Sequence, residues 1–240
     1  MREVQSTFPP GFVGIISGDL ARFSRFTASM LKLWIPEFTS WNYVFGNGFA
    51  ANRNTLLRGM IESEKPGEKN EWVWFMDDDH VFDPRTLMRL LTRDVPIIQP
   101  LISTRKPPFY PYAYQRIEGQ KYRSLEWDEL PLKGIHRVDG VGAGGMLVKR
   151  EVLDAVGDPW FEEGKTAPDC PGEDLFFCSK AAALGYDSYV DLDVRLGHLT
   201  VNEVWPDQHD GKWFVGLDLG HGPVARLPGD FGKLHLQEAP

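Results

Sequence analysis

The sequence predicts an α/β fold with a mostly parallel central sheet flanked by helices, and three observations favour this class. Apolar runs of strand length alternate with helix-like segments over residues 11–101, as in sheets built with crossover helices. The run at 72–76 (WVWFM) is apolar throughout, which is typical of a strand buried on both faces. A segment rich in proline and aromatic residues follows at 103–114, so we expect a small antiparallel, loop-rich region in the second half.

The individual elements follow from local patterns. Strands are predicted where short apolar runs are bounded by turn residues, at 11–17, 41–45, 72–76, 95–101, 146–149 and 186–192. Helices are predicted where apolar residues recur near helical spacing, at 21–34, 50–63, 150–156 and 173–184, with a further helix starting at Pro84. Residues 103–114 are expected to form an ordered loop, and residues 115–137 a polar segment with an antiparallel hairpin.

Composition and charge argue against several classes of protein. The chain carries 26 Lys and Arg against 34 Asp and Glu, a formal net charge of -8, which disfavours a broad basic face for nucleic acid. The two cysteines, Cys170 and Cys178, make neither a disulfide framework nor a CxxC metal pair. Residues 1–10 lack the pattern of a signal peptide, and no apolar stretch approaches the length of a membrane span. We therefore expect a soluble, cytoplasmic protein.

Three carboxylates, Asp77, Asp78 and Asp79, directly follow the apolar run at 72–76. Adjacent carboxylates repel each other, so the cluster is unfavourable without a cation. Hard divalent metals take oxygen ligands and commonly keep phosphates as co-ligands. A solvated acidic turn that caps the next helix is the alternative, but Asp83-Pro84 already suits that position. The run therefore predicts a metal site.

Several segments, taken in order, resemble the nucleotide-diphospho-sugar glycosyltransferases of the GT-A fold. Within them the likeness is to the broad inverting group that includes cellulose-synthase-like and chitin-synthase-like enzymes. The segments are Asn52-Arg53-Asn54, Asp77-Asp78-Asp79, Gly140 to Met146 (GVGAGGM), Gly172-Glu173-Asp174 and Gly197-His198.

The resemblance covers about residues 11–200 and implies a Rossmann-like GT-A catalytic domain over 1–240. It implies a nucleotide-binding half at 11–101 and an acceptor and catalytic half at 102–200. Residues 201–240 would be a C-terminal extension, either a mobile lid or a segment packed on the sheet.

The resemblance also implies a role for each matching residue. Asp77, Asp79 and His198 would hold Mn²⁺ or Mg²⁺, and an imidazole beside carboxylates suits Mn²⁺ better than Ca²⁺. Asp174 would be the general base that deprotonates the acceptor hydroxyl, with Glu173 as the alternative. Donor contacts would come from Arg53, Asn54, Asp19, Asp78, Gly144 and Gly145.

Some of these residues also have an ordinary structural explanation, which stays open. His198 suits a surface histidine or a satisfied core histidine, Arg53 a solvated helix residue and Asp19 a helix N-cap. The glycines at 140–145 contain GxGxxG, but no apolar strand precedes them, so a dinucleotide cradle is disfavoured. A close approach of backbone to the sugar, or a plain loop, is expected there instead.

The expected activity is metal-dependent transfer of a sugar from a nucleotide-sugar donor, with a UDP-sugar favoured, to an acceptor hydroxyl. The acceptor would be a glycan, a small molecule or a modified nucleic-acid base, and Arg105 beside the aromatic loop keeps the last of these open. One alternative is a sugar-phosphate nucleotidyltransferase, but residues 17–22 (SGDLAR) lack the Gly-rich basic loop expected after the first strand. The other alternative is a non-catalytic sugar- or nucleotide-binding protein.

Overall fold

A computed structural model describes residues 8–17, 24–105, 108–118, 121–163, 172–199, 203–218 and 223–228. Asp19, expected to contact the donor, lies outside the described residues. The helices are α1 (Ser24–Lys32), α2 (Phe49–Ser63), α3 (Thr86–Leu91), α4 (Arg150–Val156) and α5 (Glu173–Ala183). The strands are β1 (Phe12–Ser17), β2 (Ser40–Phe45), β3 (Trp72–Asp77), β4 (His80–Phe82), β5 (Ile97–Leu101), β6 (Ala113–Arg116), β7 (Tyr122–Ser124), β8 (Ile135–Val138), β9 (Gly140–Val141), β10 (Leu147–Lys149), β11 (Ser188–Leu199), β12 (Glu203–His209), β13 (Lys212–Asp218) and β14 (Pro223–Pro228).

The central sheet is mostly parallel, as the sequence predicted. Its main path runs β14-β13-β12-β11-β5-β10-β3-β1-β2. Strands β1, β2, β3, β5 and β11 point the same way, and β10 lies antiparallel between β3 and β5. The parallel strands bring their carboxyl ends to one edge of the sheet, where open α/β sheets bind their ligands.

Strand β3 is the buried strand that its apolar run predicted. Val73 and Phe75 face one core cluster together with Leu56 of α2, whereas Trp74 faces the other cluster together with Leu87 of α3. Val73, Trp74 and Phe75 are all fully buried, which stabilises the fold by about 1.5–3 kcal/mol for each large side chain. The core therefore anchors the end of β3, where the acidic residues begin.

Several boundaries differ from the prediction, most of them by one or two residues. The predicted strand at 186–192 continues as β11 to Leu199, because its residues 196–199 pair antiparallel with β4 and β12. Arg93 pairs with Asp191 at 2.7 Å and with Asp193 at 2.8 Å along this strand. Asp83 does not cap α3: its Oδ1 accepts the N–H of Arg85 at 2.8 Å and closes the turn before the helix.

The second half contains the expected hairpin and a further antiparallel extension. Strands β6 and β7 pair antiparallel, and β9 joins β6 to complete a separate three-stranded sheet. Strands β12, β13 and β14 continue the central sheet beyond β11 as an antiparallel ladder, with Trp213 packed against Trp127. That this extension acts as a lid stays a prediction. None of the helices in the described ranges is long and apolar enough to cross a membrane.

Candidate functional site

A cleft of about 640 Å³ lies at the carboxyl ends of β1 and β3. Ser17 and Asp77 end these two strands, and the start of α5 closes the opposite side. Most residues singled out from sequence line this one cleft: Arg53, Asp77, Asp78, Asp79, Gly144, Glu173, Asp174 and His198. The tertiary structure thus gathers side chains from four separate segments of the chain.

Asp79, His80 and His198 form a group that could hold a metal ion. Each offers one ligand atom, and these atoms lie within 4.8 Å of one another. The antiparallel pairing of β4 with β11 sets His80 opposite His198. Both imidazoles are buried, so the group belongs to the interior wall of the cleft and not to its solvated rim. The sequence had indicated Asp79 and His198, whereas His80 was not foreseen.

The hydrogen bonds of His198 leave one ring nitrogen suited to a cation. Nδ1 lies 3.0 Å from the Ser103 carbonyl oxygen, which only accepts, so Nδ1 carries the proton of the neutral ring. Nε2 then points a lone pair at Asp79 Oδ2, 3.3 Å away. Burial lowers the pKa of His198, against the opposing effect of Asp79, which favours the neutral ring. Two acceptors facing each other need a cation or proton between them, and a metal-binding His commonly donates its other N–H to a carbonyl.

The Asp79 carboxylate is the anionic member of this group. Burial alone would raise the pKa of Asp79, but the neighbouring imidazoles outweigh burial and hold this pKa well below its usual range. Asp79 Oδ1 lies 3.0 Å from His80 Nδ1. A set of one carboxylate and two imidazoles fits a borderline divalent ion such as Mn²⁺ better than Ca²⁺, which prefers oxygen ligands only.

Asp77 faces Arg53, so it lies outside the group formed by Asp79, His80 and His198. Arg53 Nη2 donates to Asp77 Oδ1 at 3.1 Å, and Nη1 donates to Glu173. The guanidinium is 2% exposed, and burial would lower the pKa of Arg53, but the charges of Asp77 and Glu173 raise it. Arg53 therefore connects the end of β3 to the start of α5. Metal binding by Asp77 and donor binding by Arg53 stay predictions.

Asp174 has the properties of a carboxylate held ready to accept a proton. Burial, and then the neighbouring charge of Glu173, raise the pKa of Asp174 to about 6, although Arg53 acts in the opposite direction. Its Oδ1 accepts the N–H of Leu175 at 2.8 Å. Glu173 accepts a hydrogen bond from Arg53, whereas the protonation of Asp174 changes near pH 6.

The remaining residues expected to bind the donor have other neighbours. Asn54 is buried and forms two hydrogen bonds with the backbone of Phe161, at 2.7 and 3.0 Å. Asp78 accepts a hydrogen bond from the hydroxyl of Ser17. Gly145, with φ +93°, packs against Leu196. A donor role for these residues remains a prediction.

Gly144 has a reason to be glycine that is independent of any sugar. A Cβ atom at this position would lie 2.9 Å from Asp77 Oδ2 and 2.9 Å from His80 Cε1. Gln99 holds this segment in place: its Oε1 accepts the N–H of Gly142 at 3.0 Å, and its Nε2 donates to the carbonyl of Gly144 at 3.3 Å. The glycines therefore let the backbone pass close to the acidic end of β3.

Three further residues line the cleft, and two of them, Arg105 and Tyr112 of the aromatic loop, had been considered from the sequence only as contacts to the acceptor. Asn52 has a buried Oδ1 with no hydrogen-bond partner in the described structure. Tyr112 lies 5.9 Å from His198 between ring centroids, and burial raises the pKa of Tyr112 to about 12. Arg105 forms an ion pair with Asp79 at 2.9 Å. The segments that resemble glycosyltransferase motifs lie near these residues in the sequence. Whether the residues themselves reach the cleft depends on the paths of loops, which no local sequence pattern specifies.

Comparisons with known proteins identify a solved structure with a similar fold. No protein-family model matches the chain, and no curated protein matches its sequence. The crystal structure of A197 from STIV is similar, with a TM-score of 0.57 and 17% identity over 90% of this chain and 97% of that chain. At that identity, the likeness shows a shared fold alone.

Two further solved structures are less similar. GalNAc-T7 with UDP, GalNAc and Mn²⁺ matches with a TM-score of 0.48 and 11% identity, over 82% of this chain and 45% of that chain. The inositol-1-phosphate CTP transferase from T. maritima matches with a TM-score of 0.34 and 11% identity, over 74% of this chain and 84% of that chain. Neither likeness is strong enough to bear on the fold or the activity of this chain.

Proposed function

We propose that this protein is a metal-dependent glycosyltransferase that transfers a sugar from a nucleotide-diphosphate sugar, with a UDP-sugar favoured, to an acceptor hydroxyl. One observation carries the proposal. A group able to hold a divalent ion, formed by Asp79, His80 and His198, lines the same cleft as Asp174, a carboxylate with a raised pKa. Sugar transfer from such a donor needs both a cation for the leaving diphosphate and a base for the acceptor.

The metal-binding end of the cleft would bind the donor. Asp79, His80 and His198 would hold Mn²⁺ or Mg²⁺, which when bound stabilises the negative charge that develops on the leaving diphosphate. Asp77, fixed by Arg53, adds a further carboxylate at this end. The backbone of Gly142 and Gly144, held by Gln99, forms the adjoining wall where a sugar would lie.

Asp174 would act on the acceptor. With a pKa of about 6, its carboxylate is ionised at neutral pH and still basic enough to take the proton of a hydroxyl as that hydroxyl attacks. Tyr112 and Tyr114 line the same cleft and lie 6.4 Å apart between ring centroids, which provides an apolar wall for a sugar ring or a base. The acceptor is therefore proposed to be a glycan, a small molecule or a modified nucleobase that presents a hydroxyl group.

A donor screen tests the proposal directly. The purified protein is incubated with Mn²⁺ and a panel of UDP-, GDP- and dTDP-sugars, and release of nucleoside diphosphate is measured with and without chelator. We expect release from one donor, which chelator abolishes and which Asp174→Asn reduces strongly. His209→Ala is a matched control, because His209 is exposed and lies 3.4 Å from Asp210 in a surface His–Asp pair.

A parallel reaction with nucleoside triphosphate and sugar phosphate measures pyrophosphate. Pyrophosphate release, in place of nucleoside diphosphate release, would identify a nucleotidyltransferase instead. If nucleotide sugars bind without any turnover, in the presence of Mn²⁺ and candidate acceptors, the protein is a binding protein and the proposal is wrong.

A further inference from the structure

We infer that Arg105 neutralises the charge of Asp79 while no metal ion is bound. When a metal ion binds Asp79, the Arg105 side chain leaves this carboxylate and binds the diphosphate of the donor. The inference rests on the proposed function, because it assigns a second partner to the same cleft. Arg105 Nη1 lies 2.9 Å from Asp79 Oδ2, and the arginine side chain is 49% exposed. The same oxygen lies 3.3 Å from His198 Nε2. Arg105 therefore supplies positive charge beside the group of Asp79, His80 and His198, which could hold a metal ion.

The guanidinium and a metal ion compete for one carboxylate. Asp79 is 17% exposed, so charges around it are only partly screened by water. An ion held by Asp79 and His198 would share Asp79 with a second cation at close range, which is repulsive. Metal binding therefore favours departure of the Arg105 side chain.

The local structure permits this exchange without unfolding. The backbone before Arg105 is fixed: Ser103 pairs with Pro111, and the N–H of Thr104 donates to the Tyr110 carbonyl at 2.8 Å. Ser103 also accepts the hydrogen bond from His198, so the segment is tied to the metal group itself. Only the Arg105 side chain has to move, and because it is 49% exposed, water can solvate the guanidinium when the pair separates.

A released Arg105 has an evident partner in a diphosphate. The cleft is lined by five carboxylates, Asp77, Asp78, Asp79, Glu173 and Asp174, so an anionic donor needs positive charge there. Within the described lining, Arg53 is the other Lys or Arg side chain, and it is buried between Asp77 and Glu173. Arg105 is thus the accessible cation of the described lining, and a guanidinium matches phosphate oxygens in bidentate fashion.

Two titrations with opposite expected signs test the inference. In the first, Mn²⁺ alone is titrated into wild type and Arg105→Ala by calorimetry, and the variant should bind Mn²⁺ about two- to fivefold more tightly because the competing ion pair is gone. In the second, UDP, and separately GDP, is titrated at saturating Mn²⁺, and the variant should bind the nucleotide about tenfold more weakly because a charge-assisted contact is lost. Arg105→Lys, which keeps the charge but not the bidentate geometry, should lie between the two proteins in the second titration.

Arg85→Ala is the matched control, because Arg85 forms an exposed ion pair with Asp83 at 3.1 Å and does not line the cleft. It should change neither titration. Unchanged or weaker Mn²⁺ binding by Arg105→Ala, or unchanged nucleotide binding, would overturn the inference while wild-type metal binding and donor turnover still support the proposed function. If wild type itself binds no Mn²⁺, both the proposed function and this inference fail.

Discussion

His80 and His198 stack face to face, with ring centroids 4.6 Å apart and an interplanar angle of 20°. The stacking is a direct result of the antiparallel pairing of β4 with β11, which places the two residues opposite each other. Asp79 lies beside both rings, at 3.0 Å from His80 and 3.3 Å from His198. Two buried imidazoles and one carboxylate thus converge from two strands, which is the arrangement from which the metal site was proposed.

The first prediction identifies the metal ligands. Asp79 and His198 lie together, whereas Asp77 pairs with Arg53. Substituting a residue that only supports a metal ligand typically weakens metal affinity by about 10–100-fold. Asp79→Asn and His198→Ala, which remove proposed ligands, should therefore each weaken Mn²⁺ binding by more than about 100-fold. Asp77→Asn should cost less than about tenfold. Calorimetry with Mn²⁺ measures all three, and equal losses for Asp77→Asn and Asp79→Asn would show that Asp77 is a direct ligand.

The second prediction concerns the base. If Asp174 takes the proton of the acceptor hydroxyl, kcat/KM of the wild type should rise with pH through about 6, because the carboxylate must lose its own proton before it can act as a base. Asp174→Asn should lower kcat by roughly 10²–10⁴-fold with little change in donor affinity, and should remove this limb of the pH profile. Glu173→Gln should have a milder effect. Near-normal turnover by Asp174→Asn would refute the assignment.

The third prediction links Asp174 to stability. Its pKa is raised from 3.8 to about 6 in the folded protein, so the cost in folding free energy grows as the pH rises from 3.8 to about 6, is complete above about 6 and is absent below the unfolded pKa. Asp174→Asn should therefore increase the free energy of unfolding by about 1–2 kcal/mol at pH 8 and by almost nothing at pH 4. The figure at pH 8 is smaller than the pKa shift alone would give, because Asp174 is partly exposed and lies near Arg53. Urea unfolding at both pH values checks this, and a loss of stability at pH 8 would contradict it.

The fourth prediction uses two glycines. Gly144→Ala places a methyl group 2.9 Å from Asp77 Oδ2 and His80 Cε1, so it should reduce stability by about 1–3 kcal/mol and weaken Mn²⁺ binding as well. Gly59→Ala in helix α2 is the contrast, because a Cβ there meets nothing within 4 Å. That variant should gain about 0.5–1 kcal/mol from helix propensity. Thermal unfolding compares the two, and a neutral Gly144→Ala would mean that the acidic end of β3 adapts freely.

The fifth prediction concerns Arg53. Arg53→Ala leaves Asp77 and Glu173 without their buried counter-charge and should destabilise the protein by about 2–4 kcal/mol. Arg58→Ala, one turn and a residue further along the same helix, breaks an exposed pair with Asp158 and should cost at most about 1 kcal/mol. Equal effects in chemical unfolding would show that the Arg53 pairs contribute no more than a surface ion pair.

Local patterns in the chain indicated the class of fold and the acidic end of β3. The unbroken apolar run at 72–76 predicted a strand covered on both faces, and the structure confirms it, because the side chains of this strand fill two cores and the carboxylates follow at the edge of the sheet. Glu173 and Asp174 were expected at the start of a helix, and α5 begins at Glu173. These features depend on local periodicity and on turn residues, which a single chain displays directly.

Which of these side chains meet depends on how the whole chain folds. The approach of His80 to His198 depends on the register between β4 and β11, and the contacts of Arg53 with Asp77 and Glu173 span 24 and 120 residues of chain. The ion pair of Arg105 with Asp79 likewise depends on the path of a loop. Register and loop path follow from the packing of the whole core, so local sequence pattern cannot specify them, and the partners within the site became visible only in the folded protein.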